Sequence, residues 1–305
     1  MKFYMAPMEG ITGYVYRNAF EKYFGNIEKY FTPFLTPNQN VYLNRKEKKD
    51  VLPEVNSGLY VVPQIMTNNP KYFSGLQKEL KELGYDEVNL NLGCPSATVV
   101  TKKKGAGFLS YPEELDEFLE SIFENSTGKI SIKTRIGMYN PEEFDVLLEI
   151  FNKYPLEELI IHPRVREDYY KNKINYEVFT KAMKESKNSV IFNGDIHSVD
   201  SYNNLHSKYG DLDTVMLGRG ILKNPVLIKR CLGDNKDYNE YVLEFMEEIL
   251  NNYYKMMKDE KNVMFRMKEL WLYLQDFYPN GEKVFKKINK VNSFSEYHQI
   301  VDKLL

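Results

Sequence analysis

The chain has 305 residues, of which 43% are hydrophobic and 28% are charged, and this composition excludes an intrinsically disordered protein. Its 17 glycines and 13 prolines are too few for a collagen-like or low-complexity chain. The formal net charge of −2 gives no overall electrostatic indication of a nucleic-acid partner.

Short runs rich in β-branched residues alternate along the chain with longer amphipathic stretches. Eight strands are predicted, at 3–7, 29–34, 60–65, 87–92, 130–135, 159–162, 190–193 and 214–217. Helices are predicted between them, at 15–23, 70–83, 112–125, 142–152, 176–186, 199–205 and 224–232, while the connection 35–58 is irregular. This alternation predicts an α/β fold with a parallel sheet, either a (β/α)8 TIM barrel or an open doubly wound sheet.

The faces of the fifth predicted strand favour the barrel. Ser131, Lys133 and Arg135 share one face of this strand, because side chains alternate along it. Polar groups near the carboxyl end of a strand are typical of a barrel mouth, where the active sites of this fold lie. We therefore predict a TIM barrel over 1–232.

A second unit is predicted after the barrel pattern ends. The polar segment 233–239 is typical of a linker. Beyond it, apolar residues recur at helical spacing in four stretches, at 241–258, 263–277, 282–289 and 295–305. We predict that 240–305 forms a small C-terminal helical bundle domain.

Motifs that contain glycine, proline or polar residues occur at the end of nearly every predicted strand. In chain order they are APMEG, PQ, NLNLGCP, KTR, HPR, NGD and GRG. The loops after strands seven and eight of a TIM barrel often bind phosphate, to which Arg219 can donate two hydrogen bonds. Two tight turns and a surface arginine explain the same residues without a ligand. No GxGxxG motif follows a strand, so a Rossmann dinucleotide site has no support.

Three other residues are candidates for chemistry. Lys133 is a Schiff-base lysine, a cation beside an electron-rich cofactor or a partner in a structural ion pair. Cys94 lies in the segment 93–111, which we expect to be exposed and mobile, and is a nucleophile, a proton donor or an apolar filler. His162 ends a strand at the rim. Two cysteines and no HExxH or CxxC motif predict neither a disulfide scaffold nor a metal site.

In combination, these motifs resemble those of the tRNA-dihydrouridine synthase family. They agree in order and spacing over 1–232, and NLGCP together with NGD and GRG is a specific combination. The segment that begins FRMK and ends at Tyr273 is similar to the helical domain of the family. The resemblance implies FMN-dependent reduction of specific uridines in tRNA to 5,6-dihydrouridine, with NADPH or NADH as the reductant.

The resemblance also implies roles for single residues. Lys133 would lie beside the flavin edge that gains negative charge, and Cys94 would donate a proton to C5 of the uracil. Residues expected to bind FMN are Pro7, Met8, Glu9, Gln64, Lys133, His162, Asn193, Gly194, Asp195, Gly218 and Arg219. Residues expected to bind the tRNA substrate are Asn89, Asn91, Arg164 and Lys102. Glu9 and Pro163 depart from the usual family pattern, which affects the substrate side more than the flavin.

The charge is unevenly distributed, which bears on tRNA binding. Residues 255–290 carry nine Lys and Arg against five Asp and Glu, a net charge of +4 that leaves −6 for the rest of the chain. Together with Lys102 near the mouth, this segment predicts a basic surface for phosphate contacts. A lysine-rich composition without spatial clustering explains the same charges.

Other functions fit part of this pattern. A flavin barrel oxidoreductase that acts on a free pyrimidine has no need of a basic helical tail, and a lyase that forms a Schiff base on Lys133 has no need of a flavin. A non-catalytic RNA-binding protein is disfavoured by the intact set of rim motifs. No apolar run reaches the roughly 18 residues of a membrane span, and no secretory signal pattern is seen, so we expect a cytoplasmic monomer without a membrane partner.

Overall fold

The computed structural model describes residues 1–304, whose strands form one parallel sheet in the order β3-β2-β1-β9-β8-β7-β6-β5-β4. The strands are β1 Lys2–Met5, β2 Lys29–Phe31, β3 Val61–Val62, β4 Gln64–Ile65, β5 Glu87–Leu92, β6 Lys129–Arg135, β7 Leu159–His162, β8 Val190–Phe192 and β9 Thr214–Leu217. β3 and β4 are two halves of one strand that Pro63 interrupts. Since β3 pairs with β2 and β4 pairs with β5, the eight strands close into a barrel, and the TIM-barrel prediction is confirmed.

Helices surround the barrel and continue beyond it. They are α1 Tyr14–Tyr23, α2 Arg45–Val51, α3 Pro70–Glu82, α4 Ala97–Val100, α5 Pro112–Glu124, α6 Glu143–Phe151, α7 Tyr176–Glu185, α8 Val199–Lys208, α9 Arg219–Lys223, α10 Leu227–Cys231, α11 Asn239–Met257, α12 Glu260–Leu274, α13 Gly281–Ile288 and α14 Phe294–Val301. No described helix is long and apolar enough to cross a membrane.

Three short helices, α2, α4 and α9, were not predicted, and one predicted helix is shorter than expected. Within the irregular connection 35–58, α2 begins at an Asn44–Glu47 capping box, in which each side chain accepts a hydrogen bond from a backbone N–H of the other. The helix predicted at 224–232 is shortened to α10, and α9 precedes it as a separate short helix that was not predicted. Pro225 explains the break, because a proline disfavours helical backbone at the preceding residue, and Asn224 is extended with φ −139° and ψ 92°.

The C-terminal helices pack directly against the barrel. The ring of Phe245 on α11 lies 5.5 Å from that of Tyr16 and 5.1 Å from that of Phe24, both measured between ring centroids. One hydrophobic core therefore runs from the helices of the barrel into the bundle. The boundary between the predicted domains at 232–240 stays a prediction.

The barrel interior has an apolar part and a polar part. Its apolar side chains form a small cluster of their own, made by Tyr4, Ala6, Phe31, Val62, Ile160, Ile191 and Met216. The polar side chains come mainly from β4, β5 and β6, and they include Gln64, Asn89 and Ser131, none of which is exposed to solvent. The site described below is built on this polar side.

Candidate functional site at the barrel mouth

The loop that carries Cys94 is fixed by its neighbours. The Oδ1 atom of Asn91 accepts hydrogen bonds from the backbone N–H groups of Gly93 and Cys94, both at 3.0 Å. On the other side, a β-carbon on Gly105 would lie 2.9 Å from the Cys94 carbonyl oxygen, so this close approach requires glycine, as does its φ of +54°. The expectation of an exposed, mobile segment is wrong for its second half, since all residues of 105–109 are buried. Lys102 does lie at the exposed turn before them.

The Cys94 side chain is partly buried in the mouth. Burial raises the pKa of the Cys94 thiol, while a backbone hydrogen bond from Ser96 and the positive charges of Arg135 and Lys133 act in the opposite direction. Because the net shift is upward, Cys94 carries its proton at neutral pH. A protonated thiol is a proton donor and a weak nucleophile.

Lys133 projects from β6 into the same mouth and has no anionic partner. None of residues 1–304 accepts a hydrogen bond from its ammonium group or forms an ion pair with it. Burial and the nearby Arg135 guanidinium lower the pKa of Lys133 to about 7. A structural ion pair is therefore not its role in this conformation, and the ammonium is available to a ligand.

Arg135, which shares the inward face of β6 with Lys133, ties loops together. Its guanidinium donates to the carbonyl oxygens of Gly93 at 3.0 Å, Val165 at 2.9 Å and Tyr169 at 2.8 Å. These bonds connect the Cys94 loop to the loop after β7. Arg135 thereby fixes two walls of the mouth.

Four charged or titratable side chains meet where β7, β8 and β9 end. The carboxylate of Asp195 accepts bonds from both terminal nitrogens of Arg164 and, at 2.8 Å, from Arg219, while His197 lies at 3.5 Å. Partial burial raises the pKa of Asp195, but hydrogen bonds from His197 and Arg164 and the charges of both arginines lower it by more. The pKa of Asp195 is therefore held well below its usual range. Two arginines that share one carboxylate leave a net positive charge at this end of the mouth.

His162 adjoins this cluster as a neutral side chain. Burial and the surrounding cations, Arg135 first among them, hold the pKa of His162 well below its usual range. The Nε2 atom lies 3.2 Å from a terminal nitrogen of Arg164, so the neutral ring accepts this bond and its other nitrogen carries the proton. Arg164 itself is almost fully buried and is held in addition by the Asn172 carbonyl oxygen at 2.6 Å.

The remaining motifs meet around the same mouth. Asn193 donates to the Met216 carbonyl oxygen at 2.9 Å, which joins the NGD loop and β9. A β-carbon on Gly218 would lie 3.7 Å from the sulfur of Met8, so the first and last rim motifs are in contact. Pro7 and Gly194 are partly exposed beside them. The structure thus brings the residues expected at a cofactor site to one end of the barrel.

Glu9 lies further out, in a cleft between the barrel and the bundle. The cleft has a volume of about 720 Å³ and is lined by residues that include Tyr14, Met256 and Arg266. The carboxylate of Glu9 is half-exposed and lies 3.8 Å from Lys46. Arg266 on α12 donates to the Gly10 carbonyl oxygen at 3.1 Å, so the bundle contacts the loop after β1 directly.

The three amide side chains are connected in a row. Gln64 donates from Nε2 to Asn89 Oδ1 at 2.8 Å, and Asn91 donates from Nδ2 to Gln64 Oε1 at 2.7 Å. Asn89 and Gln64 are register partners on neighbouring strands, and both are fully buried. Asn91 lies two residues further along β5, nearer the mouth, and is 8% exposed.

Tyr170 was missed by the sequence analysis. Its ring centre lies 4.2 Å from the Arg219 guanidinium carbon, 5.3 Å from that of Arg135 and 6.0 Å from the ring centre of His162. It therefore covers the cation cluster from the solvent side. The pair of tyrosines in REDYYKN was the available signal, but nothing in the sequence indicates that this loop folds back over the mouth.

The comparisons with known proteins agree with this arrangement. A sequence model of the family described as dihydrouridine synthase (Dus) matches residues 4–304. The chain belongs to the dihydrouridine synthase family. It is 29% identical over 238 residues to a probable tRNA-dihydrouridine synthase of Staphylococcus epidermidis, covering 75% of this chain and 71% of the relative. It is 27% identical over 293 residues to tRNA-dihydrouridine synthase B of Pasteurella multocida, covering 92% and 85%.

Solved structures similar to this dihydrouridine synthase family member share its fold at low sequence identity. Morphinone reductase in complex with tetrahydroNAD has a TM-score of 0.53 and 11% identity, covering 77% of this chain and 87% of its own. A variant of NCR from Zymomonas mobilis has a TM-score of 0.52 and 12% identity, with the same coverage. The family model that matches residues 4–304 confirms the predicted family. Within residues 1–304, no group of three or more His, Cys, Asp or Glu side chains is placed to hold a metal ion.

Proposed function

We propose that this protein reduces uridines in tRNA to 5,6-dihydrouridine, with FMN as its cofactor and NADPH or NADH as the reductant. Family membership supports the class of reaction. The observation that carries the proposal is the pairing of a protonated thiol, Cys94, with an unpartnered ammonium, Lys133, in one mouth, each close enough to shift the pKa of the other.

The groups at the mouth fit a flavin mononucleotide by their chemistry. The net positive cluster of Arg164, Arg219 and Asp195 suits a phosphate. Lys133 and the amides of Gln64 and Asn91 offer a charge and N–H donors to an acceptor-rich ring. Pro7, Met8, Asn193, Gly194 and Gly218 form the surrounding walls. When bound, the flavin supplies hydride transfer.

The Lys133 ammonium stabilises negative charge on a ligand bound next to it. An ammonium in a partly desolvated site is worth more than one in water, because the local dielectric constant is lower. Without a ligand against it, Lys133 is close to half-protonated at neutral pH, because its pKa is lowered to about 7. An anionic ligand raises that pKa again, so that binding and proton uptake are coupled.

Cys94 supplies the proton of the reaction. Reduction of the C5–C6 bond of uracil adds a hydride at one carbon and a proton at the other, and we assign Cys94 as the donor of the proton to C5. The thiolate left behind is stabilised by the charges of Arg135 and Lys133. It recovers its proton from water, to which the partly exposed side chain has access.

We assign recognition of the tRNA to the mouth and the bundle together. The target base has to leave its stack to reach the mouth. Lys102 is a proposed phosphate contact at the rim. Asn91 and Arg164, with Asn89 behind Asn91, are assigned to the flavin instead of the base, because Asn91 has one N–H left and Arg164 is buried and bonded to Asp195, His162 and Asn172. The net charge of +4 on residues 255–290 and the exposed ring of Phe265 on α12 support a role of the bundle in binding RNA.

One experiment tests the proposal directly. The purified protein, reconstituted with FMN, is incubated with NADPH and unmodified tRNA, and dihydrouridine is measured by mass spectrometry. We expect dihydrouridine with the wild type and with the control Cys231→Ala, and a loss of at least about a hundredfold with Cys94→Ala, which keeps its flavin. A protein that cannot bind FMN, or a Cys94→Ala variant with normal turnover, contradicts the proposal.

A second candidate is favoured by Lys133 alone. An unpartnered lysine with a pKa of about 7 is also the amine needed for a Schiff base with a carbonyl substrate. Borohydride reduction in the presence of aldehydes or ketones, followed by peptide mass spectrometry, tests it. A covalent adduct on Lys133 supports a lyase, whereas tight FMN binding without an adduct excludes it. NADPH oxidation by free uracil would instead indicate a free-pyrimidine reductase.

A further inference from the structure

The amides at the mouth belong to a longer row of hydrogen bonds that runs down the barrel interior. At the floor, the carboxylate of Glu87 forms an ion pair with Lys29 at 2.8 Å. The hydroxyl of Ser131 donates to Glu87 Oε1 at 2.9 Å and accepts from Asn89 Nδ2 at 3.0 Å. Asn89 then leads to Gln64 and Asn91, as described above. We call this row, from Glu87 through Ser131, Asn89 and Gln64 to Asn91, the amide relay.

The direction of every bond in the amide relay is forced from both ends. A carboxylate only accepts, so the Ser131 hydroxyl points its single proton at Glu87. The Ser131 oxygen is then left as an acceptor, which requires the nitrogen of Asn89 to face it and the Asn89 oxygen to face Gln64.

The upper end requires the same direction. The backbone N–H groups of Gly93 and Cys94 only donate, so the oxygen of Asn91 faces them and its nitrogen faces Gln64. A flipped amide anywhere in the row would bring two nitrogens or two oxygens together. Such a clash leaves buried polar groups unsatisfied, which is strongly unfavourable.

This direction decides what the mouth offers to a ligand. Each side-chain NH₂ group has two hydrogens, and one hydrogen of Gln64 and one of Asn91 are used within the row. The Asn91 oxygen accepts from the backbone N–H groups of Gly93 and Cys94, and the Gln64 oxygen accepts from Asn91. Asn91 is therefore left with one N–H donor, and Gln64 with one N–H donor and one lone pair on its oxygen.

We propose that Ser131 and Glu87 are positioning residues that fix the amide orientation of Gln64 and Asn91, and thereby direct the remaining N–H groups of these two amides towards hydrogen-bond acceptors of a ligand. This inference rests on the proposed function, in which those acceptors belong to the pyrimidine part of the flavin ring. Neither residue touches the ligand. They act through Asn89, which lies between them and Gln64.

The test compares two variants of equal size at one position. Ser131→Thr keeps the hydroxyl and Ser131→Val removes it, so any difference between them reports the hydrogen bond rather than the added volume. A control removes a buried hydroxyl from the opposite face of the same strand. This control is Thr134→Val, because the Thr134 hydroxyl donates to the Arg135 carbonyl oxygen and is outside the amide relay.

The measurements are the dissociation constant for FMN and the midpoint potential of the bound flavin, neither of which depends on turnover. We expect Ser131→Val to bind FMN about tenfold more weakly than Ser131→Thr, which corresponds to one buried hydrogen bond. The N–H donors of the amides bind the electron-rich reduced flavin more strongly than the oxidised flavin. If Ser131→Val reduces this difference in affinity tenfold, the midpoint potential falls by about 30 mV for two electrons. Thr134→Val is expected to leave both values unchanged.

The outcomes distinguish a failure of the positioning role from a failure of the proposed function. If Ser131→Thr and Ser131→Val have the same affinity and the same potential, the positioning role is wrong and the proposed function stands. If the wild type does not bind FMN, the proposed function has failed first and the inference falls with it. An equal effect of Thr134→Val would show that loss of any buried hydroxyl in β6 disturbs the site, which also overturns the inference.

Discussion

The guanidinium carbon of Arg219 lies 4.2 Å from the ring centre of Tyr170, and this contact joins the first residue of α9 to the loop after β7. The arginine is thereby held by two partners, the carboxylate of Asp195 on one side and the aromatic face on the other. Its donors are pre-oriented before any ligand arrives, which lowers the entropy lost on binding.

Removal of the Tyr170 ring should weaken the binding of a phosphate-bearing ligand. A cation–π contact at a partly exposed site contributes about 0.5–1 kcal/mol. We therefore expect Tyr170→Leu to raise the dissociation constant for FMN about two- to fivefold, measured by fluorescence titration. Tyr139→Leu is the control, since Tyr139 is 61% exposed. Equal affinities of the two variants would contradict the role of Tyr170.

Asp195 should make stability sensitive to acid. Its pKa is held below the usual value in the folded protein, so the folded state binds fewer protons than the unfolded state and its contribution to stability is present above about pH 4. That contribution is lost as the pH falls further, towards the folded pKa. Asp195→Asn should therefore flatten the decrease of the free energy of unfolding below pH 4, measured by urea denaturation. The exposed Asp211→Asn is the control and should keep the wild-type slope.

Lys133 should also make stability rise with pH in the flavin-free protein, but in the alkaline range. Its lowered pKa of about 7 means that the unfolded chain binds more protons than the folded one between about pH 7 and 10. Stability should therefore rise with pH over this window, and Lys133→Met should abolish the rise. At pH 7 we expect Lys133→Met to stabilise the flavin-free protein by about 1 kcal/mol, because it removes an unpartnered charge. Destabilisation of that size would indicate a hidden partner.

Cys94 should react slowly with alkylating reagents at neutral pH. Only the thiolate reacts, and burial raises the pKa of Cys94 above the usual thiol range. In a Cys231→Ala background, the rate of carbamidomethylation followed by mass spectrometry should increase roughly tenfold per pH unit from pH 7 to 8. A rate that is already maximal at pH 7 would mean a thiolate, and would exclude Cys94 as a proton donor.

The bundle should account for the salt dependence of tRNA binding. Lys286 and Lys287 are exposed on α13. Their double substitution by glutamine should reduce the slope of log affinity against log salt concentration by about one to two, because each phosphate contact releases about one counterion. The control double variant, at Lys2 and Lys129, removes charges at the amino ends of β1 and β6, away from the mouth. Equal slopes for both variants would place the RNA elsewhere.

The sequence predicted most of the barrel because its strands and helices have different periods of hydrophobicity, and the rim motifs lie where each strand ends. The capping box at Asn44 was visible as a pattern, but the polar residues around it conceal the short helix α2. The segment 93–111 was misjudged because its three lysines suggest exposure, whereas the glycines beside them serve close packing. The second error arises from the contact of Gly105 with the Cys94 carbonyl oxygen, which no local pattern indicates.

The amide relay could not have been predicted from hydrophobic patterns or motifs in the sequence. It depends on the register that places Asn89 of β5 beside Ser131 of β6 and beside Gln64 of β4. A shift of one residue would turn each of these side chains to the other face of its strand. Register is set by the whole barrel, so no local pattern indicates it.

The packing of Phe245 against α1 also has a consequence for synthesis of the chain. The aromatic face of α1, which includes Tyr16 and Phe24, emerges from the ribosome more than 200 residues before α11 is made. Until then this face has no permanent cover, and β1 likewise waits for β9 before it gains its second neighbour. For most of its translation, the nascent barrel is thus an open sheet beside an exposed hydrophobic helix surface. Chaperones have their greatest opportunity to bind during this period.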